Sequence, residues 1–136
     1  MNNRLTYYKF WSFLGILMVL LVIYISLVSN PPDLVHFNQS DKIMHYLAYM
    51  ILMCWFGQIY SNKTESFLVA LCLVCLGIFL EVIQGLGGFR EFEYCDMVAN
   101  TLGVVFGFIL SRKRCFNFLY FLERLYKRTT DNSITY

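Results

Sequence analysis

Residues 66–84 read SFLVALCLVCLGIFLEVIQ, an apolar run with no charged side chain before Glu81. Its length approaches the roughly 20 residues a helix needs to cross a hydrocarbon core about 30 Å thick. Three further stretches, 8–28, 42–60 and 95–111, read in the same way. The fourth is the shortest and leaves three spans as the alternative, but its continuous apolar character and small residues favour crossing. Composition agrees: the 136 residues are 58% hydrophobic and 15% charged, with a mean hydropathy of +0.54. That is too apolar for a soluble domain of this size. The fold class expected is all-α, a polytopic membrane bundle of four transmembrane helices in one domain, 1–136.

Orientation follows from the basic residues. Arg4, Lys9, Lys63, Arg112, Lys113, Arg114, Arg124, Lys127 and Arg128 fall on one side of a four-span topology, and only Lys42 and Arg90 on the other. Positive residues are retained in the cytoplasm, so both termini are expected there. The first stretch is too long for the apolar core of a secretory signal and no A-x-A-like site follows it, so it is read as a retained helix.

Short connections punctuate the spans. Asn30-Pro31-Pro32 stops the first helix, and Ser40 and Asp41 suit the N-cap and first turn of the second. The turn at 61–64 makes the second and third helices antiparallel neighbours, with Asn62 or Thr64 as a cap. Gly85-Leu86-Gly87-Gly88 opens a loop carrying Arg90, Glu91 and Glu93. In the tail (112–136), Phe116, Leu119, Leu122, Leu125 and Tyr126 interleave with basic side chains over 112–128, as in an amphipathic helix on the cytoplasmic surface. Residues 129–136 read as a fraying end. A basic cluster directly after a span is explained by topology and anionic lipid, so no nucleic-acid partner is expected. Cys54, Cys72, Cys75, Cys95 and Cys115 are odd in number and mostly within spans. They form no disulfide framework, and Cys72-x-x-Cys75 reads as apolar filler. Tyr8, Trp11, Trp55, Tyr60 and Tyr94 read as interface anchors.

Polar residues within such spans are the part that calls for a function, because they cost stability unless partnered. Asp41, Lys42 and His45 open the second helix, Glu81 and Gln84 close the third, and Asp96 and Asn100 open the fourth. All these helix ends face the same, outer side. Spacings of three and four put each set on one helix face, and His45, Glu81 and Asn100 are expected roughly one turn below the ends, in one layer. Gly103 and Gly107 continue the face of Asn100 as a small-x-x-x-small pattern suited to close helix packing, and Gly77 suits the same part on the third helix.

Taken in order, Asp41-Lys42-x-x-His45-x-x-x-Tyr49, Glu81-x-x-Gln84, Arg90 and Asp96-x-x-x-Asn100-x-x-Gly103 resemble the VanZ-like membrane proteins, over a core of about 41–107. The resemblance implies a small multi-helix protein of a bacterial cytoplasmic (inner) membrane. The family's namesake is associated with resistance to the glycopeptide teicoplanin, without an established biochemical mechanism. The polar set carries over as Asp41, Lys42, His45, Glu81, Gln84, Arg90, Asp96 and Asn100.

Three readings stay open. In the first, the outer end binds a polar or anionic lipid head group, a lipid-linked envelope precursor or a glycopeptide, through Lys42, Arg90, Gln84, Asp96 and Asn100. Arginine suits phosphate because its planar fork donates two parallel hydrogen bonds. In the second, the set only fastens helices, its carboxylates neutralised by Lys42, Arg90 and protonated His45. In the third, His45 is a base oriented by Asp41, with Glu81 as acid or second base. Catalysis is the less favoured, since the set lacks a nucleophile and the chain contains neither G-x-S-x-G nor H-E-x-x-H. His45, Asp41, Glu81 and Asp96 form an oxygen-rich set with a single histidine; no metal and no cofactor is expected. A transport path is not expected either, because Met53, Leu71, Phe106 and Ile109 fill the inner halves.

Overall fold

A computed structural model describes residues 5–28, 40–87, 93–113 and 117–133, with residues 40–41 and 130–133 as backbone alone. Among the described residues every regular element is a helix: α1 (Tyr8–Leu27), α2 (Ser40–Ile59), α3 (Lys63–Gly87), α4 (Tyr94–Ser111) and α5 (Phe118–Ser133). Three of them, α1, α3 and α4, are long and apolar enough to cross a membrane. α2 has the length of α1 but carries Lys42, His45 and Gln58 among its apolar residues.

That lower hydropathy has a physical counterpart in packing. α2 is the central helix, and Tyr49, Leu52, Met53 and Phe56 from it join Leu73 of α3 and Val104 of α4 in the core. α2 also exposes Ile43, Leu47 and Ile51, spaced four apart along one side. The outward faces of α1 and α3 are apolar throughout, with Phe13, Leu20, Phe67, Leu71 and Phe79 among the exposed side chains. Exposed apolar surface on this scale is unfavourable in water and fits a hydrocarbon surround.

The partner that α2 packs against most extensively is α4 rather than α3, its neighbour in sequence. Glycine is the reason. A Cβ on Gly103 would lie 2.3 Å from the Tyr46 carbonyl oxygen, and one on Gly107 2.6 Å from that of Met50. The two backbones thus touch where any side chain would separate them. Cys54 reinforces the seam by donating its thiol to the Gly107 carbonyl at 3.6 Å. Because Tyr46 meets Gly103, Met50 meets Gly107 and Gly57 meets Ser111, α2 and α4 run parallel. Gly15 of α1 lies against Trp55 and Phe56 near the opposite end of α2, while Ser26 near the end of α1 reaches Gln84 near the end of α3. The end of α1, the start of α2, the end of α3 and the start of α4 therefore share one end of the bundle.

Two boundaries depart from the sequence reading. α3 continues through Gly85 and Gly87 instead of ending at Gln84; glycine inside a helix costs only about 1 kcal/mol, and Gln84 is anchored at that level. The tail helix starts at Phe118 and runs to Ser133, past the point where fraying was expected. Within it the Thr129 hydroxyl bonds the Leu125 carbonyl at 3.0 Å. At the start of α3, Asn62 Oδ1 accepts the Thr64 N–H at 3.2 Å, the bond of an N-cap.

α5 is clasped to the bundle. Its Glu123 is buried, and the carboxylate accepts the N–H groups of Thr6 and Tyr7, each at 2.8 Å, and the Trp11 indole N–H at 2.9 Å. Burial pushes the Glu123 carboxyl up, but these bonds outweigh it and hold the group below its ordinary range. Lys127 donates to the Thr6 hydroxyl at 2.9 Å, the Leu119 N–H to Gln58 Oε1 at 3.0 Å, and the Tyr7 and Tyr126 rings meet edge to face. A negative carboxylate at the first N–H groups of α1 is also favourable for the helix dipole. Leu119, one of the apolar residues of the amphipathic pattern, is fully buried against the bundle.

Candidate functional site

The shared end of α1 to α4 collects the polar side chains. Glu81, Gln84, Asp96 and Asn100 are all buried there, and each is placed by the last turns of α3 or the first turns of α4. Burying such groups is costly without partners; the structure supplies some.

At the rim, Lys42 of α2 pairs with Glu93, just before α4, and lies 3.8 Å from Asp96. His45 Nε2 is 3.9 Å from the other oxygen of Asp96. Glu81 turns towards the same loop and accepts the Glu93 N–H at 2.9 Å, which fixes the entry into α4. Gln84 faces α1, where its side-chain amide donates to the Ser26 carbonyl. That carbonyl belongs to the last turn of α1, whose final acceptors have no partner within their own helix.

One turn deeper lies a second group. A Cβ on Gly77 would meet Asn100 at 3.1 Å and the Tyr49 ring at 3.3 Å, so the missing side chain is what lets these two polar residues share the space. Tyr49 is close enough to Glu81 to interact with it electrostatically. Among the described residues the Tyr49 hydroxyl and Asn100 Oδ1 are buried without a hydrogen-bond partner. In a native fold such orphaned groups are few, and each calls for an explanation.

The structure brings these residues together in two groups: the His45 ring reaches Asp96, and Asn100, one turn further along α4, shares the space beside Gly77 with Tyr49. Gly103 and Gly107 lie in the α2–α4 seam, Gly77 beside Asn100. Asp41 belongs to α2, but its side chain lies outside the described residues, as does Arg90 altogether. Among the described residues no three His, Cys, Asp or Glu side chains converge to hold a metal ion.

Sequence reasoning left Tyr49, Glu93 and Ser26 out of the site. Tyr49 follows His45 by four residues, which was a legible signal, whereas a backbone carbonyl such as that of Ser26 leaves none.

Fold and site together define a small all-helical membrane protein with a buried polar cluster at one end of its bundle. The chain is 30% identical over 117 residues to an uncharacterized protein of Schizosaccharomyces pombe, across 84% of this chain and 67% of that protein. It belongs to the family of that protein. No protein-family model matches the chain, and no solved structure does.

Proposed function

We propose that the polar end of the bundle is a binding site for a polar or anionic head group, entered past Lys42 and completed by Tyr49 and Asn100. The carrying observation is the orphaned Tyr49 hydroxyl and Asn100 oxygen beneath a charged rim. A head group offering both an anion and hydroxyl donors satisfies the two levels at once. Lys42 takes the anion, together with Arg90 on the sequence reading, and Asn100 Oδ1 accepts a hydroxyl. Glu93, Asp96 and His45 orient the rim, and Glu81 and Gln84 hold the loop and α1 in place.

In this reading α2 is a fourth span, shielded by its neighbours and lipid-facing only along Ile43, Leu47 and Ile51. The site opens on the side opposite the basic residues, with both termini in the cytoplasm. The ordered polar set supports a VanZ-like protein of a bacterial cytoplasmic membrane, where a lipid-linked envelope precursor or glycopeptide is the candidate ligand and teicoplanin resistance the implied phenotype. The matched relative is fungal, and phosphate-bearing head groups are common to both kinds of membrane.

A second reading, in which the set only fastens helices, is favoured by the pairings Lys42–Glu93, Glu81–Glu93 and Gln84–Ser26. Mass spectrometry of lipids retained by the purified chain separates the two. Binding expects one species retained by the wild type and lost from folded Lys42→Ala, Arg90→Ala and Tyr49→Phe variants. Fastening expects no selective loss, and instead less folded protein in the Lys42→Ala and Arg90→Ala variants. A third, catalytic reading expects folded His45→Ala to keep the bound species while losing its conversion.

A further inference from the structure

The clasp on α5 decides which of its faces is left open. Leu119 and Glu123, four residues apart, are turned into the bundle. Phe118, Phe121 and Leu125 are spaced three and four apart and share another face, where they are 54%, 56% and 46% exposed. Arg124 and Arg128 flank that face and are exposed. The helix sits at the level of Trp11, whose indole meets Glu123 and whose ring packs edge to face on Trp55. Tryptophans mark the boundary between hydrocarbon and water, and the apolar outward faces of α1 and α4 reach this level. The exposed charges described at this end are predominantly basic, Glu65 being the carboxylate among them.

We propose that this face of α5 docks on the anionic surface of the membrane the bundle crosses, with Phe118, Phe121 and Leu125 at the acyl boundary and Arg124 and Arg128 on lipid phosphates. The inference rests on the membrane placement given above. Apolar contact and basic flanks act together in such helices, each too weak alone for stable adsorption. Here the Glu123 clasp fixes the rotation of the helix in advance, so that less ordering is left to the docking itself.

The test uses the full chain in bilayers of phosphatidylcholine with a minor share of phosphatidylglycerol. A benzophenone amino acid replaces Phe121, Lys127 or Leu20 in turn, and adducts are weighed after illumination. Leu20, exposed on α1, reports membrane placement. Lys127, bonded to Thr6, reports the far side of α5. Lipid adducts are expected at 20 and 121 but not at 127. Those at 121 are expected to be enriched about tenfold in phosphatidylglycerol over its bilayer share, an enrichment lost on Arg124→Gln with Arg128→Gln. Lipid at 20 without lipid at 121 overturns the docking surface and leaves the membrane placement intact. Adducts between two copies of the chain at 121, or no preference for phosphatidylglycerol, also overturn it. Absence of lipid at position 20 overturns the membrane placement and this inference together.

Discussion

Gly103→Ala is expected to destabilise the bundle, although alanine is the better helix former. The new Cβ would stand 2.3 Å from the Tyr46 carbonyl oxygen and 3.1 Å from the Met50 nitrogen. Both are backbone atoms, so no rotamer change relieves the clash and the two helices must part by about 1 Å at the seam. Overpacking of this kind costs about 1 to 3 kcal/mol, against a gain of about 1 kcal/mol from helix propensity. With unrelievable contacts the upper half of that range applies, for a net loss of about 1 to 2 kcal/mol. Gly77→Ala is the internal control, since its Cβ would meet the Asn100 side chain at 3.1 Å and the Tyr49 ring at 3.3 Å. Those groups can shift by a few tenths of an ångström, and the net effect is near zero. Equilibrium unfolding of both variants in mixed micelles measures the difference. A Gly103→Ala chain at least as stable as Gly77→Ala would refute the parallel backbone contact between α2 and α4.

Glu123→Ala leaves the N–H groups of Thr6, Tyr7 and Trp11 without their acceptor and is expected to cost about 1 to 3 kcal/mol, seen as faster amide exchange in α5 and at the start of α1. The same clasp weakens in acid. A carboxyl held below its ordinary value of 4.5 contributes fully above that value and loses its contribution as pH falls through the lowered one. Trp11 emission should therefore change on titration below about pH 4.5, and Glu123→Gln should abolish that change. Tyr49→Phe removes a buried hydroxyl that has no partner among the described residues, so it should leave stability unchanged or raised while lowering retained lipid; a clear loss of stability would show that the hydroxyl is already satisfied within the bundle. Gln84→Leu strips a hydrogen bond from the Ser26 carbonyl and should lower the unfolding midpoint by the equivalent of about 1 kcal/mol, measured by thermal unfolding in detergent.

Helix positions were legible because the apolar runs are long and separated by Asn30-Pro31-Pro32, Asn62 and the glycines after Gln84. Topology then sufficed to bring His45, Glu81, Gln84, Asp96 and Asn100 to one end. What the sequence could not show was the choice of α4 over α3 as the main partner of α2, because that depends on which carbonyls Gly103 and Gly107 face. Glu123 reads as one acidic residue in a basic tail, and only the meeting of α5 with Thr6, Tyr7 and Trp11 turns it into a clasp. The amphipathic pattern of that tail is legible, but not which of its apolar side chains pack inward: Leu119 does, while Phe118, Phe121 and Leu125 take the open side.

The parallel seam between α2 and α4 sets a constraint on biogenesis. α2 leaves the ribosome with a hydropathy below that of its neighbours, and the glycines that grip its backbone lie more than forty residues downstream, at Gly103 and Gly107. Until α4 is synthesised, Tyr46 and Met50 have no surface to close on and Lys42 has no Asp96. On the proposed reading in which α2 is a fourth span, its insertion is a late event governed by α4. A nascent chain arrested after α3 should hold α2 loosely in the translocon, where a chain released after α4 locks it in place.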